Sequence, residues 1–473
     1  MIETKMIING TSRESQQRVD VLNPATEEAF AHCHLSSIDD LNDAVAAARN
    51  AFPAWAATSD EHRKAKLMEL ASLMEANMPE LMELVTKESG KPMGGLNGIG
   101  SGMEVGGAIA WIQATASLDL PVEVIQDDDE ARIEVHRKPL GVVGSITPWN
   151  WPLMIAIWHV MPALRTGNTV VIKPSPFTPV ATTRFFELAN EVLPAGVLNV
   201  LHGDAEIGSG MSCHDGINKM IFTGSTPTGK RIMEAASVNL KRLTLELGGN
   251  DAGIVLPGAD VAAIAPKLFG AGFHNNGQTC TALKRLYVHE SQYEEMCSAL
   301  AEQANNTVVG NGLDEASQLG PLQNAKQLEI VKSLLGSAIS NNARIVAGGN
   351  EIDGPGYFFQ PTIVADQSDG DRLVDEEQFG PVMPVIKYSD IEDVIERANR
   401  SSSGLGGSVW SDDIETAKEI ASRLECGTVW VNEHSGIQPN APFGGVKQSG
   451  FGVEFGLYGL EEYTSIQTLK IAK

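Results

Sequence analysis

Between residues 141 and 250 a short run of apolar, mostly β-branched residues recurs about every 25 residues, the length of a strand plus a returning helix. The runs fall at 142–146, 169–172, 197–201, 220–222 and 243–245. A sheet open to water on one face would alternate apolar and polar residues. Continuous apolar strands at this spacing instead predict a parallel sheet covered on both faces, in an α/β fold. Ligands of such sheets bind beyond the carboxyl ends of the strands. Those ends carry Thr147-Pro148-Trp149-Asn150, Lys173-Pro174-Ser175, Gly203, Thr223-Gly224-Ser225 and Glu246-Leu247-Gly248-Gly249. Every strand thus ends in residues able to bind or to do chemistry.

A chain of 473 residues exceeds one ordinary core, so about two or three domains are expected. A second alternating α/β region runs from residue 250 to 440, with strands expected at 285–289, 343–347, 362–364, 382–387, 407–410 and 427–431. Helices are expected at 292–306 and 412–424. Ahead of the first sheet, residues 1–35 read as edge strands. An amphipathic helix follows with Leu41, Val45, Ala48 and Phe52 on one face and Ser37 with Asp40 as a capping box. Leu67, Leu70 and Met74, then Leu81 and Leu84, continue the pattern across a break at Pro79. The greasiest run, 151–163, contains His159 and Pro162 and is too short to span a bilayer. It reads as a buried helix near a site. Segment 120–140 holds Asp127-Asp128-Asp129-Glu130 inside strand-like alternation, either a solvated hairpin or an arm reaching a neighbouring subunit. The tail from Tyr463 to Leu469 alternates like an edge strand that can pair with another chain.

The net charge of −25, from 35 basic and 60 acidic residues, argues against nucleic-acid or anionic-membrane partners. Five scattered cysteines, at 33, 213, 280, 297 and 426, show no paired spacing, so neither a disulfide framework nor a metal site is expected. With no basic-then-apolar leader at Met1, a cytoplasmic location is expected.

Cys280 ends a helical run that breaks down through Gly270-Ala271-Gly272-Phe273-His274-Asn275-Asn276-Gly277. A cysteine on a constrained polar turn is a candidate nucleophile, although most cysteines are buried small hydrophobes. Gly224-Ser225-Thr226-Pro227-Thr228-Gly229 opens a helix after a strand, which is either a pyrophosphate site or an ordinary βα turn. Lys173 can bond a nucleotide ribose or face solvent. Glu246 is either a general base with a carboxyl raised by burial or a salt-bridged cap. Asn150 offers an oxyanion amide or a plain turn. Each of these readings is weak by itself; their joint occurrence is what carries weight.

The segments Thr147-Pro148-Trp149-Asn150-Trp151-Pro152, Lys173-Pro174-Ser175, Phe222-Thr223-Gly224-Ser225, Leu245-Glu246-Leu247-Gly248-Gly249, Asn276-Gly277-Gln278-Thr279-Cys280, Glu377-Gln378-Phe379-Gly380-Pro381 and Pro442-Phe443-Gly444-Gly445 resemble, in order, the signatures of the NAD(P)-dependent aldehyde dehydrogenase superfamily. The resemblance spans nearly the whole chain. It implies a Rossmann-like parallel-sheet cofactor domain (1–119 and 141–247), a second α/β catalytic domain (248–441) and a small β oligomerisation arm (120–140 and 458–473). It also implies aldehyde oxidation to the acid with NAD or NADP, in a homodimer or homotetramer.

By the same resemblance Cys280 is the nucleophile, Glu246 the general base, Asn150 the oxyanion amide and Glu454 a second, proton-relaying glutamate. Lys173 is the adenosine-ribose ligand and Glu377 the nicotinamide-ribose ligand, with Trp149 and Ser225 at the pyrophosphate. Ile146, Thr147, Ser175, Pro176, Gly203, Gly224, Leu247 and Phe379 complete the implied cofactor site. Strictly NAD-using relatives commonly carry a glutamate three residues after the lysine. Pro176 stands there instead, which removes a charge that repels a 2′-phosphate, so NADP should be tolerated. The implied substrate wall is Trp151, Ile155, Trp158, His274, Thr279, Thr281 and Phe443. It is mostly apolar and has no arginine, which favours an aromatic or medium-chain aliphatic aldehyde over a small dicarboxylic semialdehyde. Rival readings are a coenzyme-A-acylating dehydrogenase, disfavoured by Glu246, and a catalytically silent relative, disfavoured by the intact Cys280, Glu246 and Asn150. Ester hydrolysis at the same cysteine is a further side activity to consider.

Overall fold

A computed structural model describes residues 1–473. The apolar runs form the parallel centre of an eight-stranded sheet ordered Gly450–Phe451, Arg242–Glu246, Lys219–Thr223, Val142–Ile146, Thr169–Lys173, Leu198–Val200, Met6–Ile8 and Thr11–Arg13. The five inner strands pair in parallel, and the outer pairings at both edges are antiparallel. Four of the five inner strands are buried at every position, as their unbroken apolar sequences predict. Val142–Ile146 lies between Thr169–Lys173 and Lys219–Thr223, so the chain winds away from it in both directions. A crevice opens where those connections part, at the carboxyl ends of the strands. Register sets Ile146 beside both Phe222 and Lys173, and Thr223 beside Glu246.

The second sheet has seven strands, ordered Arg344–Ala347, Thr362–Gln367, Val382–Tyr388, Leu283–His289, Asp251–Val255, Gly406–Trp410 and Thr428–Val431. Only the Arg344–Ala347 edge is antiparallel. One inner strand, Asp251–Val255, escapes the sequence reading because Asp251 and Gly253 break its apolar run. Both are there for packing reasons. The Asp251 carboxylate accepts from Gly406 N at 3.1 Å, and a Cβ on Gly253 would meet Leu283 at 2.7 Å.

The helices over Ile38–Ala56, Asp60–Ala76 and Met78–Ser89 appear where the periodicity puts them, with the Ser37–Asp40 capping box formed. The expected break at Pro79 falls two residues earlier, at Asn77, because proline is accommodated in the first turn of the next helix. The run around His159 becomes the helix Pro152–Arg165, buried almost throughout. Glu123–Asp127 and Ala131–Pro139 form a hairpin, and Thr464–Ala472 adds to it as a third strand. The tail therefore pairs with its own chain rather than being held open for another, and only its far edge is free. Just before it, Gly450–Phe451 joins the first sheet beside Glu246, and Phe443 bridges to Glu454. No helix is long and apolar enough to cross a membrane.

Candidate active site

Cys280 sits on a turn built by three successive residues in the left-handed region, Asn275 (φ 51°), Asn276 (φ 58°) and Gly277 (φ 72°). At Gly277 a Cβ would lie 2.3 Å from the Gly380 carbonyl, so only glycine closes the turn. The turn is tied to its surroundings through its carbonyls. The Asn150 and Asn275 amides both donate to Gln278 O, at 3.0 and 3.1 Å, and Asn275 also donates to Asn150 O at 3.0 Å. Trp151 Nε1 donates to Thr279 Oγ1 at 3.1 Å. Lys284 Nζ donates to Thr279 O at 3.0 Å and Cys280 O at 2.5 Å. Cys280 is half-buried, and burial pushes its thiol up to about 12; Lys284 opposes that rise, while Asp251, Glu246 and Glu377 add to it.

Behind Asn150 lies a wholly buried ion pair, Lys91 with Glu104. Lys91 donates to Asn150 O at 3.1 Å, and Glu104 accepts from Leu153 N and Met154 N at the start of the Pro152–Arg165 helix. The pair thereby fixes the loop that carries the amide. Nothing in the sequence pattern singles it out.

Glu246 is buried, and neither of its carboxylate oxygens has a hydrogen-bond partner. Burial, with the charge of Glu454 added, holds its carboxyl well above the ordinary range. The expected alternative of a salt-bridged cap is absent. Glu454 is also buried and is raised to about 8 by desolvation, against the opposing charge of Lys219. Its Oε1 lies 3.4 Å from His159 Nε2, a buried imidazole held neutral by burial, with a value of about 3. His159 also bonds Thr223 Oγ1 and Ser145 Oγ, each at 2.9 Å.

Two cavities meet at Cys280. One, of about 240 Å³, is the crevice of the first sheet; Trp149, Gly224, Ser225, Leu247, Glu377 and Phe379 line it together with Asn150. Gln327 and Ile330, from the helix Ala325–Ser340, line it too and were not anticipated. The remaining implied cofactor residues do not line this cavity and gather further along the same strand ends. There Lys173 is buried rather than exposed, donating to Gly203 O at 3.0 Å, and burial lowers it to about 8. Ile146 lies beside it in register, and Thr147 N donates to Lys173 O. Ser175 is buried and accepts from Phe177 N at 3.3 Å, with Pro176 half-buried between them.

The crevice fits a nicotinamide dinucleotide in its chemistry. Ser225, which lines the crevice, is the N-cap of the eleven-residue helix Thr226–Ala236, and its side chain makes no cap hydrogen bond. Thr147 Oγ1 is buried and unpartnered. Gly248 passes so close to Glu377 that a Cβ would sit 2.3 Å from Oε2, which keeps the carboxylate at the crevice wall.

The second cavity is larger, about 720 Å³, and all seven residues expected at the substrate wall line it together with Cys280. Trp111, which lies in no motif, completes an aromatic wall, 5.5 Å from Trp158 and 5.3 Å from Phe455 between ring centres. No arginine lines it; Lys267 and Glu433 are its charged residues.

A doubly wound sheet whose crevice meets a nucleophile-bearing turn is the architecture of a dinucleotide-dependent enzyme with a separate substrate tunnel. Comparison with known proteins makes the class specific. The aldehyde dehydrogenase family model matches residues 11–469. Phenylacetaldehyde dehydrogenase of Pseudomonas fluorescens is 40% identical, over 99% of this chain and 96% of its own. Betaine aldehyde dehydrogenase of Bacillus subtilis is 36% identical, over 96% and 94%. The NAD+ complex of an aldehyde dehydrogenase from Bacillus cereus superposes with a TM-score of 0.96 at 36% identity, over 99% of this chain and 96% of that one. The chain belongs to the aldehyde dehydrogenase family, and it is an NAD(P)-dependent enzyme that oxidises an aldehyde to the carboxylic acid.

Proposed function

We propose that the substrate is an aromatic or medium-chain aliphatic aldehyde, oxidised covalently at Cys280. The observation that carries this reading is that Cys280 alone, with no intervening side chain, lines both the crevice and the aromatic tunnel. A thiol there can attack an aldehyde carbon arriving from one side while a cofactor occupies the other.

The residues divide the work by their chemistry. Cys280 reacts as the thiolate, its proton lost to solvent, and Glu246 serves the later hydrolysis. The Cys280 thiolate adds to the carbonyl, and the oxyanion of the thiohemiacetal rests on the Asn150 amide and the Cys280 N–H. NAD(P)+, when bound, supplies the acceptor for the hydride leaving that carbon. Glu246 then activates the water that hydrolyses the thioester, and Glu454 passes the proton onward. Lys173 and Glu377 hold the two riboses, while Trp149, Ser225 and the helix start hold the pyrophosphate. Residues 1–119 and 141–247 form the cofactor domain, 248–441 the catalytic domain, and the strand sheet of 120–140 and 458–473 the oligomerisation arm of a cytoplasmic homodimer or homotetramer.

The tunnel wall of Trp111, Trp151, Trp158 and Phe443 favours an aryl or alkyl body. Its one lysine, Lys267, is exposed, and no arginine offers a buried anchor for the second carboxylate of a dicarboxylic semialdehyde. The phenylacetaldehyde dehydrogenase relative supports the same choice. Reduced-cofactor formation across phenylacetaldehyde, benzaldehyde, hexanal and succinate semialdehyde tests it; preference for the semialdehyde would overturn it. With Pro176 in place of a carboxylate and Ser175 beside it, NADP is accepted alongside NAD. Initial rates with each cofactor at equal concentration test that claim, and an absolute requirement for NAD would refute it.

A further inference from the structure

Lys284 is 2% exposed and lines neither cavity, yet its ammonium contacts two residues that do, Cys280 and Glu377. It is the second residue of the strand Leu283–His289, at a buried position where an apolar residue would be the ordinary choice. Burying an ammonium is costly unless its protons are all placed. Here one reaches Thr279 O at 3.0 Å, one Cys280 O at 2.5 Å, and the third side faces Glu377 Oε1 at 3.3 Å. Glu377 in turn accepts from Gly249 N at 3.2 Å and presents its other face to the crevice. One side chain thus joins the carboxylate of the cofactor site to the backbone of the nucleophile.

We propose that Lys284 is a positioning residue that locks Glu377 to the Cys280 turn and supplies the positive charge that favours the thiolate. It rests on the reading of Cys280 as nucleophile and Glu377 as cofactor ligand, and goes beyond it by assigning a residue that touches neither substrate nor cofactor. The charge balance around the sulfur makes the role necessary. The carboxylates Asp251, Glu246 and Glu377 all bear on the thiol and disfavour its anion. His274 is held neutral by burial. Lys284 is the cation that answers those carboxylates.

Two variants push the thiol in opposite directions. Lys284→Met keeps the bulk and removes the charge, so thiolate becomes scarcer. Glu377→Gln keeps the shape and removes the anion that partly neutralises Lys284, so thiolate becomes more abundant. The measurement is the rate of iodoacetamide alkylation of Cys280 at neutral pH, read on the Cys280 peptide by mass spectrometry, without aldehyde. A rise of about one pKa unit cuts thiolate about tenfold, and the gain in intrinsic nucleophilicity returns about threefold. K284M should therefore alkylate about threefold more slowly than the parent, or slower still, and E377Q should alkylate faster. If K284M does not fold, Lys284→Gln, which keeps a hydrogen-bond donor and removes the charge, makes the same comparison and should also alkylate more slowly than the parent. Equal rates in the folded variants, or a slower E377Q, overturn the proposal. Aldehyde oxidation persisting in Cys280→Ala would instead overturn the reading of the nucleophile, and leaves the alkylation comparison to judge Lys284 separately.

Discussion

Two buried carboxyl groups, Glu246 and Glu454, raise each other's cost of ionisation, and the enzyme's pH behaviour follows from that pairing. Glu246 works as a base only when deprotonated, so turnover falls as pH drops through the raised apparent pKa of the pair. Glu454→Gln removes a negative charge from beside Glu246 and so lowers the Glu246 carboxyl towards its ordinary range. The acid limb of the kcat profile should move to lower pH in that variant; a limb that stays in place would mean the two carboxyls do not communicate. Glu246→Gln separates the two halves of the reaction. Hydrolysis of the thioester should slow by on the order of 10²–10⁴-fold, the usual worth of a positioned base. Rapid mixing should then show whether one equivalent of reduced cofactor still appears per Cys280 before the slow phase, as expected if deacylation has become limiting.

At the level of elements, the turn that presents Cys280 is the most constrained piece of backbone near the chemistry. A side chain at Gly277 meets both a left-handed φ of 72° and the Gly380 carbonyl 2.3 Å away. Left-handed backbone costs a non-glycine residue about 1–2 kcal/mol before any clash. Gly277→Ala should therefore lower the melting temperature and abolish Cys280 alkylation together. Gly336 makes the matched control, since it is exposed in the helix Ala325–Ser340 with open space around it. Gly336→Ala should raise stability by about 0.5–1 kcal/mol in a denaturant titration and leave activity alone. Both glycines look alike in the sequence, and what separates them is the neighbour each one meets. The same distinction marks what could be read beforehand. The first sheet was legible because its strands are apolar throughout, a local property. Asp251–Val255 was not, because its Asp and Gly serve partners some thirty and more than a hundred and fifty residues away, Leu283 and Gly406. Among site residues, those in motifs at strand ends were legible. Lys91, Glu104, His159 and Lys284 were not, since a lone charged or imidazole side chain is indistinguishable from a solvated one until distant segments enclose it.

For the whole molecule, the proposal that copies join through the three-stranded arm can be tested sharply, because of the charge of the chain. The sheet of Glu123–Asp127, Ala131–Pro139 and Thr464–Ala472 leaves Val124, Ile125, Ile466, Leu469 and Ile471 exposed, with an unpaired edge on each side. An edge of that kind is a template for another strand, and apolar side chains beside it add area to bury. Each chain also carries a net charge of −25, so two copies repel. If apolar sheet contacts hold the oligomer, salt should tighten it, because screening weakens the repulsion and leaves the burial intact. An assembly held by ion pairs would loosen instead. Light scattering on a dilution series at low and high salt should thus show the larger species persisting to lower concentration in high salt. Ile466→Asp with Leu469→Asp should bring the mass down to the 50.5 kDa of one chain, since each added carboxylate must be desolvated at the contact and lies among like charges. A parent protein already at that mass, or a double variant that assembles as the parent does, would show that this sheet is not where the copies join.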